Sequence, residues 1–166
     1  MRDAETYERE IRPLLGRAAG YAHSLLGNRA DAQDAVQQAA LRGWERIGQY
    51  DAARPFRGWW FAILRNCCFD QLRARKSART GSLEGIDVPD SGGQQEHQDA
   101  LLDEGLETAL RNLTPAHREI LRLRYFGELA YDDLAVALAI PKGTVMSRLH
   151  LARKALAAQM RKELER

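Results

Sequence analysis

Apolar residues recur at helical spacing along almost the whole chain, and no segment shows the strict alternation of a half-buried strand. In the N-terminal half this pattern predicts three helices, over residues 5–26, 31–48 and 57–76. Gly27 is expected to end the first helix. Asp31 is expected to cap the second, because its carboxylate can accept hydrogen bonds from the free amides of the first turn.

The C-terminal half has the same helical period and a clearer start signal. Residues 101–113 carry one apolar stripe, and Thr114 followed by Pro115 is typical of an N-cap and the first helical position. The helix that follows has Tyr125 among its apolar positions and runs to Gly127.

Residues 131–138 and a long basic helix from Thr144 are joined by the tight turn 139–142, which predicts a helix-turn-helix. This geometry sets the second helix in the major groove of DNA, with Val145 and Leu149 buried against the first helix. The exposed side of the second helix is rich in hydroxyl and basic groups, which bond phosphates and base edges. The alternative is a plain helical hairpin whose basic residues are merely solvated.

Between the two halves the helical period disappears. Residues 77–99 are rich in glycine, serine and glutamine, and acidic residues collect among them, which predicts a flexible acidic linker. We therefore expect an all-α protein of two small helical domains, residues 1–77 and 103–166, joined by a linker over residues 78–102.

Composition adds limits rather than a function. The chain has 166 residues, 45% of them hydrophobic and 29% charged, as expected of a soluble globular protein. No apolar run approaches the ~20 residues that cross a bilayer, so we expect no membrane insertion. Cys67 and Cys68 are neighbours, cannot staple distant segments, and fit a reducing cytoplasm. The four histidines are scattered without metal or catalytic spacing, so we expect no enzyme, metal or cofactor.

Aromatic residues crowd the start of the third predicted helix, whose end is basic. The crowded residues are Phe56, Trp59, Trp60 and Phe61, and the basic ones are Arg73, Arg75 and Lys76. Rings beside a cationic groove are what a single-stranded nucleic acid site requires, because bases stack on rings while phosphates contact the cations. The alternative is that the rings fill a helical core, and for Trp60 and Phe61 this is at least as good an interpretation.

Three stretches, residues 31–44, 56–66 and 113–156, resemble in order and spacing the extracytoplasmic-function (ECF) sigma factors of the sigma-70 family. The resemblance implies an alternative sigma factor that directs core RNA polymerase to specific promoters. It implies that the N-terminal domain is region two, which binds polymerase and opens the minus-ten element. The C-terminal domain would be region four, which recognises the minus-thirty-five element.

The resemblance also implies three sets of contact residues. Core polymerase would be bound by Asp31, Asp34, Gln37, Gln38, Leu41 and Trp44. The minus-ten element would be bound by Tyr50, Arg54, Phe56, Trp59, Asn66, Arg73, Arg75 and Lys76. The minus-thirty-five element would be bound by Lys142, Thr144, Met146, Ser147, Arg148, His150, Leu151, Arg153 and Lys154.

The implied partners are the clamp helices and flap of core polymerase, promoter DNA as duplex and single strand, and an anti-sigma factor that clamps both domains. The sequence departs from the family at Gln33 and Gln38, where acidic residues are usual, and at Met146 and Leu151, where basic residues are common. Apolar groups there can meet a thymine methyl but cannot bond guanine, which predicts an unusual minus-thirty-five preference. Ala130 stands where a capping serine is usual.

One alternative function stays open at this point. A helix-turn-helix regulator that never touches polymerase would account for the C-terminal half, but it leaves residues 31–66 without a purpose.

Overall fold

A computed structural model of the chain describes residues 3–80 and 97–165, and within these ranges the regular structure is entirely helical. The fold class expected from the sequence is therefore confirmed. The helices are α1 Ala4–Ile11, α2 Leu15–Leu26, α3 Arg29–Arg46, α4 Phe56–Thr80, α5 His97–Arg111, α6 Pro115–Tyr125, α7 Tyr131–Leu138 and α8 Lys142–Leu164. Most of the predicted linker, residues 81–96, lies outside the described residues.

The single first helix predicted from the sequence is wrong. Residues 5–26 are divided into α1, a 3-10 turn at Arg12–Leu14, and α2. Pro13 sits in this turn and explains it, because proline has no amide to donate to the carbonyl one turn earlier and its ring crowds that carbonyl. Gly27 ends α2 as expected, with a left-handed φ of 81° that a side chain would disfavour.

The N-cap of α3 is Asn28, and the prediction of Asp31 in that role is wrong. The side-chain oxygen of Asn28 accepts a hydrogen bond of 2.8 Å from the amide of Asp31. The left-handed Gly27 leaves Asn28 extended at the helix start, so the helix begins at Arg29. Hydrogen bonds from Asn28 and Arg75 to the Asp31 carboxylate hold the pKa of Asp31 below its usual value.

The core of the N-terminal bundle is built around the crowded aromatic residues. Trp60 and Phe61 are fully buried, which confirms the core interpretation for these two rings. Tyr7 extends the core, because its hydroxyl donates to the carbonyl of Ala40 at 2.7 Å and accepts from the Trp60 indole nitrogen at 3.1 Å. α3 approaches this group so closely that a Cβ at Gly43 would lie 2.2 Å from the Tyr7 hydroxyl.

The C-terminal bundle contains the helix-turn-helix. Thr114 caps α6 and Pro115 is its first residue, as predicted. α7 and α8 meet through buried Leu134, Val145 and Leu149, so the packing expected between the two helices is confirmed.

The start of α7 lacks a side-chain cap from Ala130. The amide of Ala130 instead donates to the carboxylate of Asp133 at 3.0 Å, so one half of a capping box remains.

Cys67 and Cys68 are both free thiols with no exposed surface. Burial raises the pKa of both, and that of Cys68 to about 12, so very little thiolate forms at neutral pH. We expect a disulfide reagent such as dithionitrobenzoate to modify neither thiol in the folded protein at pH 8. Both should titrate at once in guanidinium chloride, and rapid modification of the folded chain would contradict this burial.

Candidate functional site

The first candidate surface is the outward side of α3, called here the α3 face: Asp34, Gln37, Gln38, Leu41 and Trp44. These residues recur at three- and four-residue spacing, so one side of the helix carries them all. Leu41 is 66% exposed and Trp44 is 41% exposed, with polar groups beside them. An apolar centre with a polar rim is the usual anatomy of a protein–protein contact.

Asp31 lies one turn before the α3 face but is already engaged. Its carboxylate accepts hydrogen bonds from Asn28 and from Arg75. The same guanidinium donates to the carbonyl of Leu26 at 2.8 Å and so satisfies the C-terminal end of α2. The structure therefore gives Asp31 and Arg75 a shared role inside the N-terminal domain.

The second candidate surface begins with the aromatic cluster of Tyr50, Phe56 and Trp59. The ring centroids lie 5.4 Å apart for Tyr50 and Phe56, 5.0 Å for Tyr50 and Trp59, and 5.5 Å for Phe56 and Trp59. All three rings are half-buried, in contrast to fully buried Trp60 next to them. Partly exposed rings that brace one another form a rigid platform on which a base can stack.

The loop before α4 is held by short-range hydrogen bonds. The Tyr50 hydroxyl donates to the carbonyl of Arg54, and the Asp51 carboxylate accepts from the amide of Ala53 at 2.9 Å. Arg54 itself is exposed beside the aromatic cluster.

The remaining residues of this predicted site follow along α4. Asn66 is exposed two turns beyond Trp59 and on the same side of the helix. Arg73 and Lys76 are exposed near the end of α4, and Arg73 pairs with Asp70. Cationic side chains at these positions are placed to contact the phosphates of a nucleic-acid strand that extends from the aromatic cluster along α4.

The third candidate surface is the outward side of α8. Ser147, His150 and Lys154 lie opposite the buried Val145 and Leu149, with Met146 and Leu151 on the two flanks. Both flanking residues are more than half exposed, at 55% and 53%.

Several of the residues predicted to bind DNA on α8 have partners within the protein or are partly covered. Lys142 pairs with Asp132 at 3.0 Å, and the Ser147 hydroxyl donates to the carbonyl of Thr144 at 3.2 Å. Thr144 and Arg148 are half-buried at the edge of the helix packing.

Tyr125 is a surface residue that the sequence pattern misplaced among the apolar positions. It is 54% exposed, and its hydroxyl accepts a hydrogen bond of 2.8 Å from Nε of Arg153. The guanidinium carbon lies 5.8 Å from the ring centroid. Tyr125 is the last residue of α6, where the helix leaves the core, so it positions a cation of α8 rather than filling the interior.

The described part of the chain was searched for a metal site and for a membrane-spanning helix. Residues 3–80 and 97–165 hold no group of three histidine, cysteine, aspartate or glutamate side chains placed to bind a metal ion. Among the helices in these ranges, none is both long and apolar enough to cross a bilayer.

Known families match both halves of the chain. The family model described as Sigma-70 region 2 matches residues 10–78, and that described as Sigma-70, region 4 matches residues 103–156. The two matches place the chain among the sigma-70 factors of RNA polymerase. A helix-turn-helix regulator without polymerase binding does not account for the region 2 match.

Individual relatives narrow the class. The chain is 37% identical over 140 residues to the ECF RNA polymerase sigma factor SigL of Mycobacterium tuberculosis, covering 82% of this chain and 78% of the relative. It is 29% identical over 150 residues to the ECF RNA polymerase sigma factor SigW of Bacillus subtilis, covering 84% and 80%. The chain therefore belongs to the ECF RNA polymerase sigma factors, and it is an alternative sigma factor.

A solved structure shares the arrangement. The sigma factor RpoE, in its co-crystal structure with the anti-sigma factor NepR from Bartonella quintana, superposes with a TM-score of 0.69 at 25% identity. The match covers 95% of this chain and 98% of RpoE.

Proposed function

We propose that this sigma factor divides its work among the three surfaces. The α3 face would bind the clamp helices of core polymerase. The aromatic cluster with Asn66 and the basic end of α4 would bind the unpaired minus-ten strand. The outward side of α8 would recognise the minus-thirty-five duplex. The domains would be residues 1–77 and 103–166, joined by residues 78–102.

The observation that carries this proposal is a contrast in burial. Trp60 and Phe61 are sealed in the core, whereas Tyr50, Phe56 and Trp59 keep part of each ring in solvent. Removing a base from the duplex costs a few kcal/mol, and stacking on an exposed ring offsets part of that cost. Rings that served only the core would be covered as Trp60 is.

The chemistry of α8 supports duplex recognition with an apolar component. Ser147 and His150 can exchange hydrogen bonds with base edges, and Lys154 can contact phosphate. Met146 and Leu151, exposed on the flanks, can contact thymine methyl groups. We infer that the minus-thirty-five element recognised by this protein contains few guanines. A factor with basic residues at positions 146 and 151 would select an element with more of them.

The remaining assignments follow from the family. The protein would act in the cytoplasm, without membrane insertion, cofactor or catalytic activity of its own. Region four would contact the polymerase flap. An anti-sigma factor would hold the protein inactive, since RpoE of Bartonella quintana, which matches nearly the whole chain, was solved with the anti-sigma factor NepR.

Run-off transcription with purified core polymerase and a library of promoter fragments tests the proposal. Transcripts from a defined subset of fragments should form only when this protein is present, and sequencing that subset gives both promoter elements. If the protein binds duplex DNA selectively but yields no transcripts and does not co-purify with core polymerase, the assignment of the α3 face and the aromatic cluster fails.

A further inference from the structure

The hydroxyl of Tyr125 and the guanidinium of Arg153 form an exposed polar pair between α6 and α8, called here the Tyr125–Arg153 pair. The Nε of Arg153 donates to the Tyr125 hydroxyl at 2.8 Å, and its guanidinium carbon lies 5.8 Å from the Tyr125 ring centroid. Both side chains are open to solvent. A residue of α6 therefore fixes the orientation of a cation on the helix proposed to recognise duplex DNA.

Arg153 is held by neutral groups and keeps its full charge. Arg122 of the same bundle pairs with Glu107, whereas within residues 3–80 and 97–165 no carboxylate pairs with Arg153. Hydrogen bonding to Tyr125, and after it to Tyr131, raises the pKa of Arg153 above its usual value. A cation that is fixed in place but not neutralised remains available to an external anion.

The Tyr125–Arg153 pair also presents unused hydrogen-bond donors. A guanidinium has five N–H groups, and the bond to Tyr125 uses only the one on Nε. A phenol hydroxyl that accepts a hydrogen bond still has its own hydrogen to donate. In the described part of the chain, no acceptor takes up that hydrogen of Tyr125. N–H and O–H donors around one positive charge match the oxygens of a phosphate diester.

The pair lies on the flank of α8 that also carries Met146. Arg153 follows Met146 by almost two helical turns, so the two residues share one side of the helix and stand about 10 Å apart along its axis. In a helix-turn-helix, the first turns of the second helix contact base edges, and other side chains contact the phosphates beside the groove. The major groove is about 12 Å wide, which puts Arg153 near its edge when Met146 is at the bases.

We propose that the Tyr125–Arg153 pair binds one backbone phosphate at the edge of the minus-thirty-five element. The phosphate oxygens would accept from the Nη groups of Arg153 and from the Tyr125 hydroxyl. Tyr125 would thus contact DNA from a helix outside the helix-turn-helix. This inference rests on the proposed recognition of the minus-thirty-five duplex by α8. The pair would contribute affinity and register but no base specificity, because a phosphate carries no sequence information.

Two mild substitutions separate the parts of the pair. Tyr125→Phe removes only the hydroxyl and leaves the ring beside Arg153. Arg153→Ala removes the cation at an exposed helical position, where alanine favours the helix. Arg161→Ala is the matched control, because it removes the same charge from another exposed position of α8, about 12 Å further along the axis.

The measurement is the affinity of core polymerase carrying this factor for a promoter fragment from the run-off selection. Single methylphosphonate linkages, each of which removes the charge of one phosphate, are placed one at a time along the minus-thirty-five segment. For the native factor, one or two linkages at the edge of the element should weaken binding about tenfold. On the unmodified fragment, Arg153→Ala should bind about tenfold and Tyr125→Phe about fivefold more weakly than the native factor. The penalty of the sensitive linkages should vanish in Arg153→Ala, shrink in Tyr125→Phe and stay at its native size in Arg161→Ala.

The size of the linkage penalty separates phosphate binding from a merely structural role. If Tyr125 and Arg153 only supported the packing of α6 and α8, both variants would weaken every fragment equally and keep the native penalty. That result, on a promoter that the native factor transcribes, would overturn the phosphate site and leave recognition by α8 intact. A native factor that is insensitive to every linkage in the minus-thirty-five segment would overturn the phosphate site together with the assignment of α8.

Discussion

Leu41→Glu is expected to abolish stable binding of this factor to core RNA polymerase. Leu41 is the most exposed apolar side chain of the α3 face, and it has polar neighbours on the same side of the helix. Central apolar residues of an interface cost about 2 kcal/mol or more when lost, which is about a thirtyfold loss of affinity. A buried, unpaired carboxylate costs more than truncation does, so the effect of glutamate should exceed that figure.

Fluorescence anisotropy of the labelled factor titrated with core polymerase measures the loss. Leu164→Glu is the control, because Leu164 is 79% exposed near the end of α8 and lies outside every proposed surface. The same change in charge and hydrophobicity should there leave polymerase affinity intact. Comparable binding by both variants would show that the α3 face does not carry the polymerase contact.

Much of the fold follows from features that act locally. The sequence alone predicts that Val145 and Leu149 are buried in the helix-turn-helix and that Thr114 caps α6. Both predictions succeed because helical periodicity and capping involve residues that are neighbours in sequence. Local rules compete at helix ends, however. Asn28 and Asp31 are both good N-caps, and the left-handed Gly27 decides between them.

The sites could be predicted only in part. Spacing along one helix places Gln37, Gln38 and Leu41 on a single side, and the structure agrees. The sequence left Trp60 and Phe61 between a core role and a binding role, and the structure decides for the core: Trp60 is fully buried, whereas the adjacent Trp59 is half-buried. That difference depends on the helices that pack against α4.

Contacts between distant residues lie beyond a single sequence. The pair of Arg75 with Asp31 joins residues 44 apart, and the contact of Arg122 with Ser24 joins residues 98 apart. The first pair joins the start of α3, which was predicted to bind polymerase, to the basic end of α4, which was predicted to bind the minus-ten element.

Trp59→Ala is expected to reduce promoter opening about fivefold to 150-fold, because base–ring stacking is worth ~1–3 kcal/mol. The Trp59 ring contacts both Tyr50 and Phe56, so its loss removes one of the three rings of the aromatic cluster and a contact from each of the other two. Duplex recognition by α8 does not use this ring and should persist. Permanganate footprinting of unpaired thymines on a duplex promoter, with core polymerase present, measures the opening directly.

A premelted template separates a role in strand capture from a role in folding. On DNA already unpaired across the minus-ten element, the cost of unstacking is removed, so the defect of Trp59→Ala should shrink. Trp59→Phe keeps a ring on which a base can stack and should retain most of the opening on duplex DNA. A defect of equal size on duplex and premelted templates, shared by Trp59→Phe, would instead assign Trp59 to the support of α4, and the minus-ten strand would have to bind elsewhere.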